Sequence, residues 1–310
     1  MVREIPTSVA RGFLMGAADI VPGVSGGTVA LVLGIYRRLV RSISTASSAL
    51  GRFLRGDLGG GMSTLRRVEW NFVLSLVAGI GLAVLALSHV LERTLADRPI
   101  EMAALFTGLV AGSVVITWQL LERRDATRLT IMAATAVGVF VVLGLRPGTT
   151  DEVVAQLSSP APWAFFGAGA VAICAMILPG ISGSFILVML GMYGPVLGAV
   201  TDRDVLSLGI FVLGTVVGLA LFSQGLHWAL DEHYDSVMAV LIGLMVGSMR
   251  VLWPWPDGVD STVLGRPDDS LAVALVIGLV AAVFVVAVST IAARMEHRTA
   301  QDGIEEIHGV

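Results

Sequence analysis

Two helix-breaking segments with nearly the same sequence constrain this chain more than any other feature. The first runs Asp19-Ile-Val-Pro22-Gly23-Val-Ser25-Gly26-Gly27-Thr28, and the second runs Met176-Ile-Leu-Pro179-Gly180-Ile-Ser182-Gly183-Ser184. Proline removes a backbone donor and glycine frees the backbone from the helical conformation, so each segment ends one helix and lets another begin. Each segment also lies inside a long apolar run. The fold must therefore hold two broken helices in an apolar environment.

That environment is a lipid bilayer. Of the 310 residues, 55% are hydrophobic and only 14% are charged, whereas a soluble domain carries about 25% charged residues. The sequence predicts an all-α polytopic membrane protein, with residues 1–310 forming a single membrane domain. The formal net charge of −4 decides little, because the distribution of charge along the chain matters more than its sum.

The apolar segments divide into two short broken pairs and six longer spans. A helix needs about 20 apolar residues to cross about 30 Å of hydrocarbon, and the pieces of each broken pair are shorter than that. The broken pairs are Val9–Ile20 with Val24–Val40, and Trp163–Leu178 with Ile181–Val200. The predicted spans are Trp70–Leu91, Glu101–Leu121, Leu129–Leu145, Val205–Leu230, Ser236–Leu252 and Leu271–Ala293.

The chain contains an internal repeat. Pro22–Gly26 matches Pro179–Gly183 at an offset of 157, and the stretch around Gly108 and Gly112 matches that around Gly243 and Gly247 at an offset of 135. The offset changes because the first half has a longer connection, an Arg-rich segment. We assign residues 1–145 to repeat one, with an Arg-rich cytoplasmic loop at 37–69, and residues 146–310 to repeat two.

Counting the crossings predicts that the repeats have inverted topology. If each broken pair forms a re-entrant hairpin, each repeat crosses the membrane three times, and this odd number inverts the second repeat. The positive-inside rule then places both termini in the cytoplasm, because the segments on that side hold most of the arginines and the outer segments hold Arg93, Arg98, Arg146, Arg203 and Arg266. Five crossings per repeat would satisfy the same rule, but such short pieces favour hairpins.

Inverted repeats with broken helices place their open backbone ends near the bilayer midplane. The first amides of a new helix have no intrahelical partner, and its dipole attracts anions. Two such ends would form an anion site for which phosphate is the natural occupant. The expected binding residues lie at the two breaks, together with one basic residue earlier in the chain: Pro22, Gly23, Ser25, Gly26, Gly27, Thr28, Pro179, Gly180, Ser182, Gly183, Ser184 and Arg11. A simple kink, with the hydroxyls acting only as helix caps, is the structural alternative.

Asp19 is the most informative single residue, because a carboxylate at membrane depth is costly and marks a functional candidate. It could couple transport to a proton, pair with Arg11, or cap a helix start with its own oxygen. Its counterpart in the second copy is Met176, so the two sites are chemically unequal. Arg11 and Arg250 could contact an anion or extend to the membrane interface. No histidine–carboxylate spacing suggests a metal site, and no cofactor or nucleic acid is expected.

The segments Met15–Tyr36 and Met176–Val196 resemble the DUF368 family of prokaryotic membrane proteins. The resemblance implies a flippase in the cell membrane that returns a polyprenyl phosphate, undecaprenyl or dolichyl, from the outer to the cytoplasmic leaflet. It also implies that the motif positions at the two breaks serve the substrate, with H⁺ or Na⁺ as the coupling ion. The resemblance does not decide whether the protein forms a homodimer.

Two other functions remain compatible with the residues. The segment at Pro22 also resembles the PGxSRSG motif of undecaprenyl pyrophosphate phosphatases, but Gly26 stands where the arginine is required. No paired-glutamate segment is present to hold a metal and a base, and we therefore expect no catalytic residues. An ion channel or small-anion exchanger would use the same helix ends. A lateral opening toward lipid distinguishes the flippase from these.

Overall fold

The computed structural model describes residues 4–19, 25–145, 160–256, 258, 263–268 and 270–308; the side chains of 4, 88, 92, 184, 185 and 291–308 are not described. Within these ranges every regular element is a helix. The helices are α1 Glu4–Asp19, α2 Gly26–Val32, α3 Tyr36–Leu54, α4 Leu58–Leu65, α5 Trp70–Asp97, α6 Pro99–Leu120, α7 Ala126–Gly144, α8 Pro162–Ile177, α9 Gly183–Met189, α10 Tyr193–Thr201, α11 Val205–Glu232, α12 Tyr234–Ser248, a 3₁₀ turn Met249–Leu252, and α13 Leu271–His308.

Six of these helices are long and apolar enough to cross a membrane: α5, α6, α7, α11, α12 with its 3₁₀ turn, and α13. They coincide with the six spans that hydropathy predicts, so the expectation of a multi-pass, all-helical membrane protein is confirmed. α8 is apolar but shorter, at 16 residues. At 1.5 Å per residue its length is about 24 Å, less than the hydrocarbon thickness.

The second arm of each broken pair is interrupted again. α2 and α9 have only seven residues each, and each ends at a Leu-Gly turn in which the glycine has positive φ, +69° at Gly34 and +65° at Gly191. Only glycine adopts this backbone conformation without steric cost. The repeated Leu-Gly-x-Tyr sequence therefore encodes a helix end in both halves.

Matching glycines pack the first helix of each half against its first long helix. A Cβ at Gly79 of α5 would lie 2.1 Å from the Val9 carbonyl of α1, and a Cβ at Gly214 of α11 would lie 2.0 Å from the Phe166 carbonyl of α8. The helix backbones touch at both positions, so only glycine, which has no Cβ, fits there. The offsets of 135 and 157 that relate the two sequence halves also relate these contacts.

The other long helices exchange partners between the halves. α6 packs on α13, and α12 packs on α7. A Cβ at Gly108 would meet the carbonyl of Gly278, while a Cβ at Gly243 would meet that of Met132. α6 and α12 therefore each pack on a helix from the other half of the sequence.

The Arg-rich segment 37–69 is helical rather than an irregular loop. α3 and α4 occupy most of it and pack on each other. The expectation of a loop rested on charge and glycine content, but residues 36–50 contain no glycine or proline and place small or apolar side chains such as Val40, Ser44 and Ala49 on a buried face. This amphipathic pattern accounts for the helix.

Connections between the helices define two ends of the molecule. One end, called here the arginine-rich face, contains ion pairs between Arg37 and Asp231 and between Arg38 and Glu69. The other, called the tryptophan-bearing face, carries Trp253 and Trp255 close to the α5–α6 connection, where Gly258 approaches Pro99.

Carboxylates cap long helices at these faces. Asp125 accepts the Arg128 amide at the start of α7, and Asp204 accepts the Ser207 hydroxyl and amide at the start of α11. Those hydrogen bonds lower the pKa of both carboxyls below the usual value. Both caps therefore carry negative charge at neutral pH beside a helix N-terminus, where such charge is favourable.

Candidate functional site

The two helix breaks contact each other directly. The Ser25 hydroxyl, at the start of α2, lies 3.3 Å from the carbonyl oxygens of both Met176 and Leu178 at the end of α8. Proline at position 179 has no amide to bond back to the helix, so carbonyls at this helix end need other donors. The first half supplies one of them.

Two further contacts join the same regions. The Tyr36 hydroxyl donates to the Ile177 carbonyl at 3.2 Å, and the Gly180 amide donates to the Thr28 hydroxyl at 3.2 Å. Ser25, Thr28 and Tyr36 are each at most 2% exposed. Buried hydrogen bonds of this kind each stabilise a fold by about 0.5–1.5 kcal/mol, and leaving one partner unsatisfied costs more.

Gly27 sets how closely the two breaks approach. A Cβ at this position would lie 2.6 Å from the Ile177 carbonyl oxygen, a separation that two nonbonded atoms do not adopt. The backbone of α2 is thus in contact with the backbone end of α8. Glycine is required here for close approach rather than for an unusual φ.

The first amides of α2 already have acceptors within the protein. The Gly26 amide donates to the Asp19 carboxylate at 2.6 Å, the Gly27 amide donates to the Ser25 hydroxyl at 3.1 Å, and the Thr28 amide donates to the Ser25 carbonyl at 2.9 Å. Of the roles considered for Asp19, helix capping is the one present in this conformation. The same side chain is exposed at the protein surface.

Asp19 does not pair with Arg11 here. The two residues are eight positions apart on α1, about 12 Å along the helix axis, and the Asp19 carboxylate forms no ion pair within the described part of the chain. Arg11 is half-buried.

The second break differs chemically from the first. Met176, the counterpart of Asp19, packs against Gly183, where a Cβ would lie 2.5 Å from the Met176 Cγ atom. Gly180 has φ +86° and lies against Ser248 of α12. The Ser182 hydroxyl does not cap α9. An anion bound to the start of α9 would therefore meet a thioether where α2 has a carboxylate.

Most of the residues expected at the site come together. Ser25, Gly26, Gly27 and Thr28 meet the segment at 176–180, and Pro179 and Gly180 are buried beside it. Ser182 and Gly183 follow at the start of α9. Pro22 and Gly23 lie outside the described residues, as does the side chain of Ser184.

Sequence reasoning missed Tyr36 and Ser248 at the site. Tyr36 belongs to the repeated Leu-Gly-x-Tyr sequence, so a signal was present, but its counterpart Tyr193 is exposed and the repeat does not show which copy is used. Ser248 matches Ser113 within the Gly-x-x-x-Gly-Ser sequences. Both serines are buried and donate to carbonyls of their own helices.

A separate cavity of about 300 Å³ lies at the arginine-rich face, between the starts of α1, α3 and α5. Ser8, Asn71 and Trp70 contribute to its lining, and Arg38 is held there by Glu69 at 2.8 Å and by the ring of Phe72 at 4.2 Å. Its mixed polar and apolar lining lies away from the contact between the breaks.

Comparison with known proteins supports a transport role. Residues 15–267 match the family model described as undecaprenyl phosphate translocase-like. A protein of Vibrio cholerae named polyprenyl-phosphate transporter is 37% identical over 247 residues, which cover 80% of this chain and 77% of that protein. A Staphylococcus aureus protein of the same name is 28% identical over 257 residues, covering 80% and 86%. No solved structure matches. These matches confirm the family resemblance that the two helix breaks indicated.

Proposed function

Because the chain belongs to the undecaprenyl phosphate translocase-like family, we propose that it is a flippase moving a polyprenyl phosphate from the outer to the cytoplasmic leaflet of a prokaryotic cell membrane. The direct contact between Ser25–Thr28 and the segment at 176–180 carries the proposal. It brings both helix breaks to one place, where a lipid phosphate could meet backbone amides of both halves.

Inverted repeats provide the framework for alternating access. α1 runs beside α5 and starts near Glu69 at the arginine-rich face, whereas α8 runs beside the beginning of α11 and starts at the other end. The two broken helices then enter from opposite sides as re-entrant hairpins. The exchange of partners between α6–α13 and α12–α7 supports the same symmetry.

The phosphate site forms when the two breaks separate. In the closed contact, Asp19 and Ser25 satisfy the first amides of α2. Lipid phosphate replaces the Asp19 carboxylate at the Gly26 amide, while Ser25, Thr28 and Ser182 supply hydroxyl donors. At the Gly26 amide one charge-assisted hydrogen bond replaces another. The Ser25 hydroxyl exchanges neutral carbonyl acceptors for a charged phosphate oxygen, and such bonds are about twice as strong as neutral ones, which offsets the loss of the contact between the halves.

Asp19 links this exchange to an ion gradient. A protonated Asp19 is a weaker acceptor for the Gly26 amide and does not repel a phosphate, so proton binding and phosphate binding favour each other. Separation of the two breaks frees the Asp19 carboxylate from the Gly26 amide, and in that state it exchanges a proton or binds Na⁺. Both termini lie in the cytoplasm, consistent with the concentration of arginines at that face.

Reconstitution into liposomes tests the proposal. Purified protein is combined with a labelled polyprenyl phosphate whose exposure on each leaflet is measured, with and without an imposed proton gradient. We expect protein-dependent movement of the lipid, faster with the gradient, and a slower rate when Ser25 and Ser182 are both replaced by alanine. Ser63→Ala, an exposed serine on α4, is the matched control.

Three outcomes would reject the proposal. The wild-type protein leaving the lipid distribution unchanged under every gradient would exclude the flippase. Chloride flux at normal rates without lipid movement would favour a small-anion exchanger, and phosphate release from a polyprenyl pyrophosphate would favour an enzyme. The names of the family and of the relatives indicate a transporter rather than an enzyme.

A further inference from the structure

One arginine at the tryptophan-bearing face has no carboxylate partner within the described part of the chain. Arg250, in the 3₁₀ turn that follows α12, is half-buried and has its guanidinium carbon 4.6 Å from the ring centre of Phe140 on α7. Its backbone carbonyl accepts the Trp253 amide, but within the described part of the chain its guanidinium forms no hydrogen bond or ion pair besides this ring contact. Arg38 and Arg128, at the opposite end of the molecule, are each paired with a carboxylate.

The backbone of α7 leaves room for this guanidinium. A Cβ at Gly144 would lie 2.6 Å from the Arg250 guanidinium carbon, so any larger residue at 144 would displace it. The guanidinium carbon lies over the Phe140 ring. The guanidinium N–H donors form no hydrogen bond within the described part of the chain, and a guanidinium can make a forked contact with an oxyanion.

The surface of α7 beside Arg250 is apolar and exposed. Val137 is 63% exposed and Val141 49%, and they lie one turn or less from Phe140, which is 40% exposed. This apolar surface can accommodate a prenyl chain while its headgroup lies beside Arg250. The repeat-related position on α6 is Val115, so no second copy of the cation exists at the opposite end.

We propose that Arg250 binds the phosphate monoester of the lipid substrate in the outer leaflet, before that phosphate reaches the contact between the helix breaks. This inference rests on the proposed flippase function and adds an entry site to it. The Phe140 ring holds the guanidinium in place, and the missing counterpart at position 115 makes loading different on the two sides of the membrane.

Transport kinetics in proteoliposomes test the entry site. Polyprenyl phosphate is supplied to the leaflet facing Arg250, and the initial rate is measured against its mole fraction. For Arg250→Gln we expect a half-saturating mole fraction about tenfold higher, equivalent to about 1.4 kcal/mol of binding free energy, with the rate at saturation nearly unchanged. Arg250→Lys should recover part of the loss, because a lysine keeps the charge without the fork.

Matched variants separate substrate binding from structural support. Arg266→Gln removes an exposed arginine near the same face and should leave the kinetics unchanged. Unchanged half-saturation in Arg250→Gln would overturn the inference while leaving the flippase in place, since wild-type transport is measured in parallel. A lower rate at saturation with lower thermal stability and unchanged half-saturation would instead assign Arg250 a structural role at the end of α7.

Competitor lipids identify the ligand chemistry. Phosphatidic acid, a lipid phosphate monoester, should raise the half-saturating mole fraction in wild type but not in Arg250→Gln. Equal competition by phosphatidylglycerol, a phosphodiester, would show that Arg250 anchors anionic headgroups in general and would overturn the assignment. Equal competition by inorganic phosphate in the external buffer would likewise overturn the requirement for a lipid-borne phosphate.

Discussion

At the scale of single residues, Gly27 determines whether the two halves can touch. Its hydrogen faces the Ile177 carbonyl oxygen, and a methyl group there would lie 2.6 Å from that oxygen. Ser25 and Tyr36 donate to carbonyls on either side of the same point. Moving α2 away by even half an ångström would lengthen hydrogen bonds that are already 3.2–3.3 Å.

Gly27→Ala should therefore weaken the closed contact. We expect a loss of about 1–3 kcal/mol in stability, typical of overpacking, visible as a lower melting temperature of the purified protein in detergent. Gly138→Ala is the control, because a Cβ at position 138 meets no atom within 4 Å and alanine favours a helix by about 1 kcal/mol over glycine. Equal melting temperatures for Gly27→Ala and wild type would mean that the contact is not present in the protein as purified.

Asp19 gives the second prediction at this scale. Asparagine retains an oxygen that can accept the Gly26 amide but cannot take up a proton in the same range. If Asp19 carries the coupling proton, Asp19→Asn should flatten the pH dependence of transport while leaving the protein folded. A pH profile as steep as that of wild type would assign Asp19 to capping alone. Asp57→Asn changes another capping carboxylate, at the start of α4, and serves as the control.

At the scale of helices, the close-packed glycines of α5 and α11 should contribute equally to the stability of the protein. A Cβ at Gly79 would lie 2.1 Å from the Val9 carbonyl oxygen, and a Cβ at Gly214 would lie 2.0 Å from the Phe166 carbonyl oxygen. The helix backbones therefore touch in the same way at both positions. We expect Gly79→Ala and Gly214→Ala to destabilise the protein by similar amounts, because each forces one helix of a matching pair away from the other.

Open glycines on the same two helices provide the controls. A Cβ at Gly81 or Gly209 meets nothing within 4 Å, so alanine at those positions should not lower the melting temperature in detergent. A large loss at Gly214 with none at Gly79 would contradict the equivalence of the two packed pairs.

The helices also show what a sequence can and cannot predict. Hydropathy located all six long helices, because crossing hydrocarbon requires a run of apolar residues whatever the tertiary structure. The repeated sequence of the two breaks identified Ser25–Thr28 and Pro179–Gly180 as residues of the candidate site. α3 escaped prediction because its arginines and serines suggested a loop, although its buried face determines its fold.

Contacts between distant residues could not be predicted. Tyr36 and Ile177 are 141 positions apart, and nothing in either segment specifies the other. The use of Tyr36 rather than Tyr193 depends on how the halves pack. The inequality of the two sites, in contrast, is visible in the sequence, because Met176 stands where the first copy has Asp19.

At the scale of the whole molecule, the proposed flippase requires α1 and α8 to enter from opposite sides, so that one substrate site can face either leaflet in turn. Two matching halves of opposite orientation have nearly equal energy when their roles are exchanged, so one rocking motion can open the site to each side. Parallel entry would leave the site open to one leaflet only. The orientation of these two short helices therefore decides between a flippase and a one-sided binding protein.

Labelling of single cysteines tests this orientation. The native Cys174 is first replaced by alanine, and cysteine is then placed at exposed positions near the starts of α1 and α8, Thr7 and Trp163. Arg123→Cys, in the α6–α7 connection, and Arg266→Cys, near the tryptophan-bearing face, serve as references. Each variant is treated with a membrane-impermeant thiol reagent in right-side-out and inverted vesicles, and then after denaturation to show that every cysteine can react.

We expect Thr7→Cys to be labelled from the cytoplasmic side, like Arg123→Cys, and Trp163→Cys to be labelled from the outside, like Arg266→Cys. Labelling of both helix starts from the same side would contradict inverted repeats and, with them, alternating access at the contact between the two breaks.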